Sequence, residues 1–218
     1  MNVYVVVEGR TEPHVYKVWI PLVNPNLTYV NDIYDIEKNN FSIISAKNYP
    51  YYKVIEGAIQ DVNEVGNVDR LVISVDSEEN SREEKLEEVN SFLRDLQCVV
   101  PIIVVIQHFC IETWALGNRR VIRRHPQNPN LRRYRGIFDV LLNDPELLPR
   151  LPSENLNRAQ FAFKYLKAIL NERYPNITFT KRRPYPLCHP TYFSEVRSRY
   201  YDTQHIASFS DFLGAFVS

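Results

Sequence analysis

Met1-Asn-Val-Tyr-Val-Val-Val-Glu-Gly-Arg-Thr-Glu12 is the stretch that decides the fold. Val3 to Val7 is an unbroken apolar run, rich in Val and Tyr, and reads as a buried strand. Glu8-Gly9 stops it abruptly. Thr11 then opens an amphipathic helix from Glu12 to Leu22, with Val15, Val18, Trp19 and Leu22 on one face. Strand, glycine turn and helix in that order leave a carboxylate at the carboxyl end of the strand. That edge is where open α/β sheets bind their ligands.

The same alternation continues down the chain. Phe41 to Ser45 reads as a short strand and Tyr52 to Val65 as a helix with Val54, Ile55, Ala58, Ile59 and Val62 inward. Leu71 to Val75 has the continuous apolar character of a central parallel strand, and Asp76-Ser-Glu-Glu-Asn80 follows it. Ser81 and Glu84 have capping-box spacing. The helix they open runs to about Leu96, with Leu86, Val89, Phe92, Leu93 and Leu96 inward. Pro101 to Ile106 is a fourth buried strand, and 107–116 holds a short helix. This βαβαβαβ order predicts an α/β fold with a mostly parallel sheet flanked by helices. Residues 24–40 are a polar connection of no assigned structure. Beyond Gly117 the chain turns basic and partly helical, with a helix start at Asp144-Pro145-Glu146 and an amphipathic helix at Asn155 to Tyr174. The expected organisation is an α/β domain at 1–117 and an Arg-rich elaboration at 118–218.

At 218 residues, 44% of them hydrophobic, the chain can bury a proper core. Cys98, Cys110 and Cys188 are far apart and form no Cys-x-x-Cys pair, which argues against a disulfide framework or a zinc knuckle. A reducing, cytoplasmic setting is expected. The first apolar run is too short for a secretory signal, and no apolar stretch reaches the ~20 residues needed to span a bilayer. The zero net charge hides a split. Residues 1–100 carry nine Lys/Arg against seventeen Asp/Glu, and residues 101–218 carry seventeen against nine. An acidic half can hold cations and a basic half can hold phosphates.

Acids cluster at strand ends: Glu8 after the first, Asp76 with Glu78 and Glu79 after the third, Glu112 beyond the fourth. Parallel strands bring such ends to one edge. Mg2+ takes oxygen ligands, commonly one or two carboxylates with waters and substrate phosphates. One or two such ions can drive phosphodiester hydrolysis. Each acid also has a plainer reading. Glu8 and Glu12 sit where a helix dipole favours a negative charge, and Glu78 and Glu79 open a run of solvated acids.

Glu8-Gly9-x-Thr11-Glu12 after a strand, with Asp76-Ser-Glu78 after a later one, resembles a Toprim domain. Phe109-Cys-Ile-Glu112-Thr-Trp114 resembles a segment of the OLD-type and related small Toprim nucleases, where a further acid follows the fourth strand. The resemblance covers about residues 1–117. It implies a Mg2+- or Mn2+-dependent nuclease of prokaryotic antiphage or mobile-element defence, often working with an ATPase partner. Glu8, Asp76, Glu78 and Glu112 would hold metal, and Glu8, Asp76 and Glu112 would serve catalysis. The family motif is Asp-x-Asp, whereas this chain has Asp76-x-Glu78, and no phosphate-facing Lys is evident. No Walker A sequence is present, so no ATPase is expected in this chain.

Arg119, Arg120, Arg123, Arg124, Arg132, Arg133 and Arg135 fall in one stretch with no acid among them, and Lys181-Arg182-Arg183 forms a second cluster. Such runs are often solvated faces, but the missing acids favour phosphate contacts with nucleic acid, DNA or RNA. Tyr134 could stack on a base or belong to the core. The histidines match no zinc spacing. Two alternatives stay open. One is a silent Toprim-like subunit of a larger complex. The other is a small-molecule phosphatase, disfavoured because Glu8-Gly-Arg lacks the aspartate pair that the haloacid type needs.

Overall fold

The computed structural model describes residues 1–47 and 49–217. Its centre is an α/β sheet of five strands: β1 (Val3–Val7), β2 (Thr28–Tyr29), β3 (Asn40–Ser45), β4 (Arg70–Asp76) and β5 (Ile102–Gln107). Their order is β2-β3-β1-β4-β5. The β1–β3, β1–β4 and β2–β3 pairs are parallel, with Val7 opposite both Ser45 and Ser74. All five residues of β1 are buried, as a strand covered on both faces requires. The polar connection at 24–40 supplies the edge strand β2, too short for periodicity to reveal, and a 3-10 turn at Ile33–Asp35.

Two compact units divide the chain, and neither ends at residue 117. The first comprises 1–75, 81–106 and 210–218; the second comprises 76–80 and 107–209. The turn after β4 therefore groups with the C-terminal half and the last residues with the N-terminal half, because spatial neighbours, not chain order, define a unit.

In the first unit, α1 (Glu12–Val23) buries Val15, Tyr16, Trp19 and Ile20. Its buried stripe is turned relative to the expected one because an aromatic tail covers it. Phe212 meets the Tyr16 ring at 4.8 Å and the Trp19 ring at 6.1 Å. The tail is fastened by Arg70, which donates to the Ala215 and Val217 carbonyls, and by the Arg82–Asp211 ion pair at 2.6 Å. Helix α2 (Tyr51–Val65) buries Ile55, Ala58, Ile59 and Val62 and ends at Gly66, whose φ of +65° suits glycine. Helix α3 (Arg82–Leu93) begins with the expected Ser81–Glu84 capping box. Leu86, expected inward, is exposed; only Val89 of α3 is fully buried, so the helix lies against the core along a narrow line.

The second unit is helical: α4 (Ile111–Ala115), α5 (Pro129–Ile137), α6 (Arg158–Arg173) and α7 (Pro190–Thr203), with α8 (Phe209–Ala215) crossing into the first unit's segment. The Asp144-Pro145 start gives a 3-10 turn at Pro145–Leu147, capped by the Asp144 carboxylate. The α6 positions Phe161, Tyr165, Leu166, Ile169 and Leu170 are all buried. Tyr134 joins them, 5.2 Å from the Phe161 ring and 5.6 Å from Tyr165, so it is a core residue. Among the described residues, no helix is long and apolar enough to cross a membrane.

Candidate metal centre and nucleic-acid interface

Glu8, on the first unit, directly follows β1. The turn behind it is drawn tight: Ser45 Oγ donates to the Gly9 carbonyl at 2.6 Å. Glu12 is buried, and its carboxylate folds onto Gly9 so closely that a Cβ there would meet an oxygen at 2.5 Å. Glu12 thus closes the β1–α1 turn at a helix N-terminus, its electrostatically favoured place. Burial, the hydrogen bond to Glu88 and the charges of Glu88 and Glu8 together push the Tyr52 phenol up.

The second unit holds Asp76, Glu78 and Glu112. Asp76 is the last residue of β4. The turn after it is bonded to the segment after β5: Ser77 N–H donates to the Gln107 carbonyl and Glu78 N–H to the Phe109 carbonyl, both at 3.0 Å. Ser77 is buried, and its Oγ lies 2.8 Å from His108 Nδ1. Helix α4 begins immediately beyond this segment and carries Glu112 in its first turn, 1% exposed. Cys110 lies between the acids electrostatically. Burial pushes its thiol up, the charges of Glu112 and Asp76 push it further, and Lys181 opposes them. Asp76, Glu112 and Lys181 thus all act electrostatically on one buried sulfur. All three cysteines are free thiols.

Glu78 is exposed, with φ at +50°. A left-handed conformation costs a non-glycine residue roughly 1–2 kcal/mol, and strain of this kind gathers at functional turns. Glu79 faces a different task. It pairs with Arg150 and accepts from the Arg158 N–H at the start of α6. Burial opposes its ionisation, but the Arg158 N–H and the Arg150 guanidinium outweigh that and hold its carboxyl below the ordinary glutamate range. Among the described residues, no group of three or more His, Cys, Asp and Glu side chains is arranged to hold a metal ion.

No protein-family model matches this chain. Neither a curated protein nor a solved structure matches it.

The arginine stretch is less free than its sequence implies. Acids distant in the chain reach it: Arg120 pairs with Glu195, Arg123 with Glu172 and Arg133 with Glu154, while Arg135 pairs one helical turn on with Asp139. Arg135 also donates to the Arg123 and Arg124 carbonyls, so it braces the loop before α5. Arg119, Arg124, Arg132, Arg182 and Arg183 are exposed with side chains outside the ion pairs found among the described residues. Lys181 lies 5.8 Å from the Phe163 ring centroid.

Sequence reasoning missed three buried polar groups of this unit. Arg199, 1% exposed, donates to the carbonyls of Val140 at 2.7 Å, Asn143 at 2.6 Å and Leu116 at 3.3 Å, and meets His205 Nδ1. Burial and nearby Arg119 pull its guanidinium down to about 10. Glu146 accepts from the Ser208 N–H at 3.0 Å and from the Ser208 hydroxyl. Ser208 Oγ in turn accepts from the Trp114 indole at 2.7 Å. No local spacing marks such residues; only their partners, tens of residues away, do.

Proposed function

We propose that this chain is a metal-dependent nuclease that hydrolyses nucleic-acid phosphodiester bonds, the activity implied by its resemblance to small Toprim nucleases of prokaryotic defence. The observation that carries the reading is the bonded junction of 76–78 with 107–109. It ties the turn after Asp76, at a strand end, to the segment that leads into α4, where Glu112 is buried in the first turn, and both acids and Lys181 act electrostatically on the Cys110 thiol.

The donor chemistry fits a hard cation. Two carboxylates suffice for Mg2+ or Mn2+ when substrate phosphate and water complete the shell. When bound, such an ion would polarise a phosphoryl oxygen and steady the attacking and leaving oxygens. Asp76 and Glu112 would hold it, with Glu78 as a further carboxylate of the strand-end pattern; Glu8 enters this reading through the family resemblance alone. Lys181 would offset phosphate charge. Arg119, Arg124, Arg132, Arg182 and Arg183 would hold the backbone, and affinity would fall steeply with salt.

A second reading is a silent Toprim-like subunit that serves a larger, ATPase-containing complex. The Asp76-x-Glu78 spacing, where the family motif is Asp-x-Asp, favours it. One experiment separates the two. Wild type, Asp76→Asn and Glu8→Gln are assayed with Mn2+ or Mg2+ on plasmid, single-stranded DNA and tRNA, beside a direct Mn2+ titration followed by electron paramagnetic resonance. The nuclease reading expects cleavage that falls on the order of 100-fold or more in Asp76→Asn together with weaker Mn2+ binding. Cleavage that survives both substitutions sinks it. Wild-type protein that neither binds Mn2+ nor cuts supports the silent subunit.

A further inference from the structure

The second unit carries a cleft of about 490 Å3 where α6 ends, the 3-10 turn Tyr185–Cys188 passes and α7 begins. Its volume lies within the roughly 300–1,000 Å3 typical of small-molecule sites. Arg120, Arg173, Tyr174, Tyr185, His189 and Glu195 line it. None of them is among the candidate carboxylates or the other residues of the proposed metal centre.

The lining combines two chemistries. Tyr185 leaves 64% of its surface exposed, so its ring is accessible from solvent at the mouth of the cleft. Such a ring is a platform for a flat aromatic ligand. Tyr174 adds a second, half-buried ring. Arg173 is exposed, outside the ion pairs found among the described residues, and suited to a phosphate. The Arg120 guanidinium meets Glu195 at 3.0 Å with 80% of its side chain exposed. A simple aromatic acid would use the cations but offer Glu195 no donor beyond its Arg120 partner. A nucleotide would use every group, because its sugar hydroxyls and base amines are donors that a carboxylate accepts. His189 Nδ1 is occupied as the cap of α7, accepting from the Thr191 N–H, which leaves Nε2 for a ligand.

We propose that this cleft is a nucleotide-binding site, in which Tyr185 stacks on the base, Arg173 takes the phosphate and Glu195 receives hydroxyl or amine donors. The ligand is either a free mononucleotide or one nucleotide of a single strand, and both present the same chemistry. The site stands apart from the nuclease reading and needs no metal.

The test is run in EDTA. Calorimetry with AMP, GMP, CMP, UMP and inorganic phosphate, and fluorescence anisotropy with a labelled oligothymidylate, compare wild type with Tyr185→Ala and Arg173→Ala. Both side chains are exposed, so the substitutions spare the core, and circular dichroism checks that the fold is kept. Saturable binding that each substitution weakens on the order of tenfold is expected. Inorganic phosphate alone should bind more weakly by a similar factor. Loss confined to mononucleotides assigns a free ligand, and loss confined to the oligonucleotide assigns a strand. Absence of saturable binding to either at about 1 mM, or binding that both substitutions leave unchanged, overturns the proposal. Neither result bears on Asp76 or Glu112, so the two readings fail separately.

Discussion

β1 and β4 bury Val3–Val7 and Leu71–Ile73, largely aliphatic side chains that ask for nothing but company. The 107–209 unit buries Glu112, Thr113, Asn118, Glu146, Arg199 and Ser208 among its aromatics. These strands gain stability mainly from area removed from water, which tolerates small changes of shape, and the first unit's buried polar groups, Asn2, Thr11, Glu12, Ser42 and Ser74, lie outside those runs. The second also depends on buried polar groups whose partners are fixed in place, and an unmatched partner there is costly. A core of the first kind is announced by runs and stripes. A core of the second kind is decided by which distant carbonyl meets which guanidinium.

That contrast can be broken or sharpened by substitution. The largest effect is expected at Arg199. Arg199→Met keeps much of the volume but leaves the Val140, Asn143 and Leu116 carbonyls without their donor. A loss of about 3–5 kcal/mol is expected, read from chemical denaturation and from hydrogen exchange across α7. A loss under ~1 kcal/mol would mean that aromatic packing, not the guanidinium, holds this unit.

Ile73→Val is the matching probe of the first unit. Ile73 is fully buried in β4. Removing one methylene should cost about 0.5–1.5 kcal/mol with no change in pH dependence. A cost as large as that of Arg199→Met would erase the difference between the two cores.

The smallest effect is a slope against pH. Glu79 has its folded pKa depressed below the ordinary value. Its contribution to stability is therefore complete above the unfolded glutamate pKa of about 4.3 and is lost as pH falls through the lower folded value. Asp139, paired with Arg135, behaves likewise: burial opposes its ionisation but Arg135 and the Leu141 N–H prevail. In the first unit, Asp61 is shifted the other way: burial raises its carboxyl, aided by Glu64 and Asp32 and opposed by Tyr4. It adds stability as pH falls through its raised value. Glu79→Gln should lower the melting temperature slightly at pH 7 and shrink the drop between about pH 5 and pH 3. An unchanged acid limb in thermal melts would show that the Arg150 pair contributes nothing measurable, as exposed pairs often do.

The first unit's elements were legible because each satisfies itself locally. The Val3–Val7 run is β1, residue for residue, and Ser81 with Glu84 forms its capping box as spaced. The two-residue strand β2 was not legible, since pairing with β3 at Thr28 and Tyr29 creates it and no alternation fits in that length. The acids at the strand ends were visible as residues but not as roles. Glu79 sits beside Glu78, yet one anchors α6 while the other stands exposed in a left-handed turn. Seven arginines without an acid among them looked like a free cationic surface; Glu154, Glu172 and Glu195 change that from elsewhere in the chain, and Asp139 from four residues past Arg135.

By itself, the sequence determined the alternating α/β plan, the central strands and the acids that end them, because periodicity and capping act over a few residues. Tertiary structure alone decided which charges are paired and which are exposed, that Asp76, Glu112 and Lys181 all act on the Cys110 thiol, and that the aromatic tail covers α1. Charge pairing and burial depend on distance in space, and residues far apart along a chain carry no local mark of where folding will bring them together.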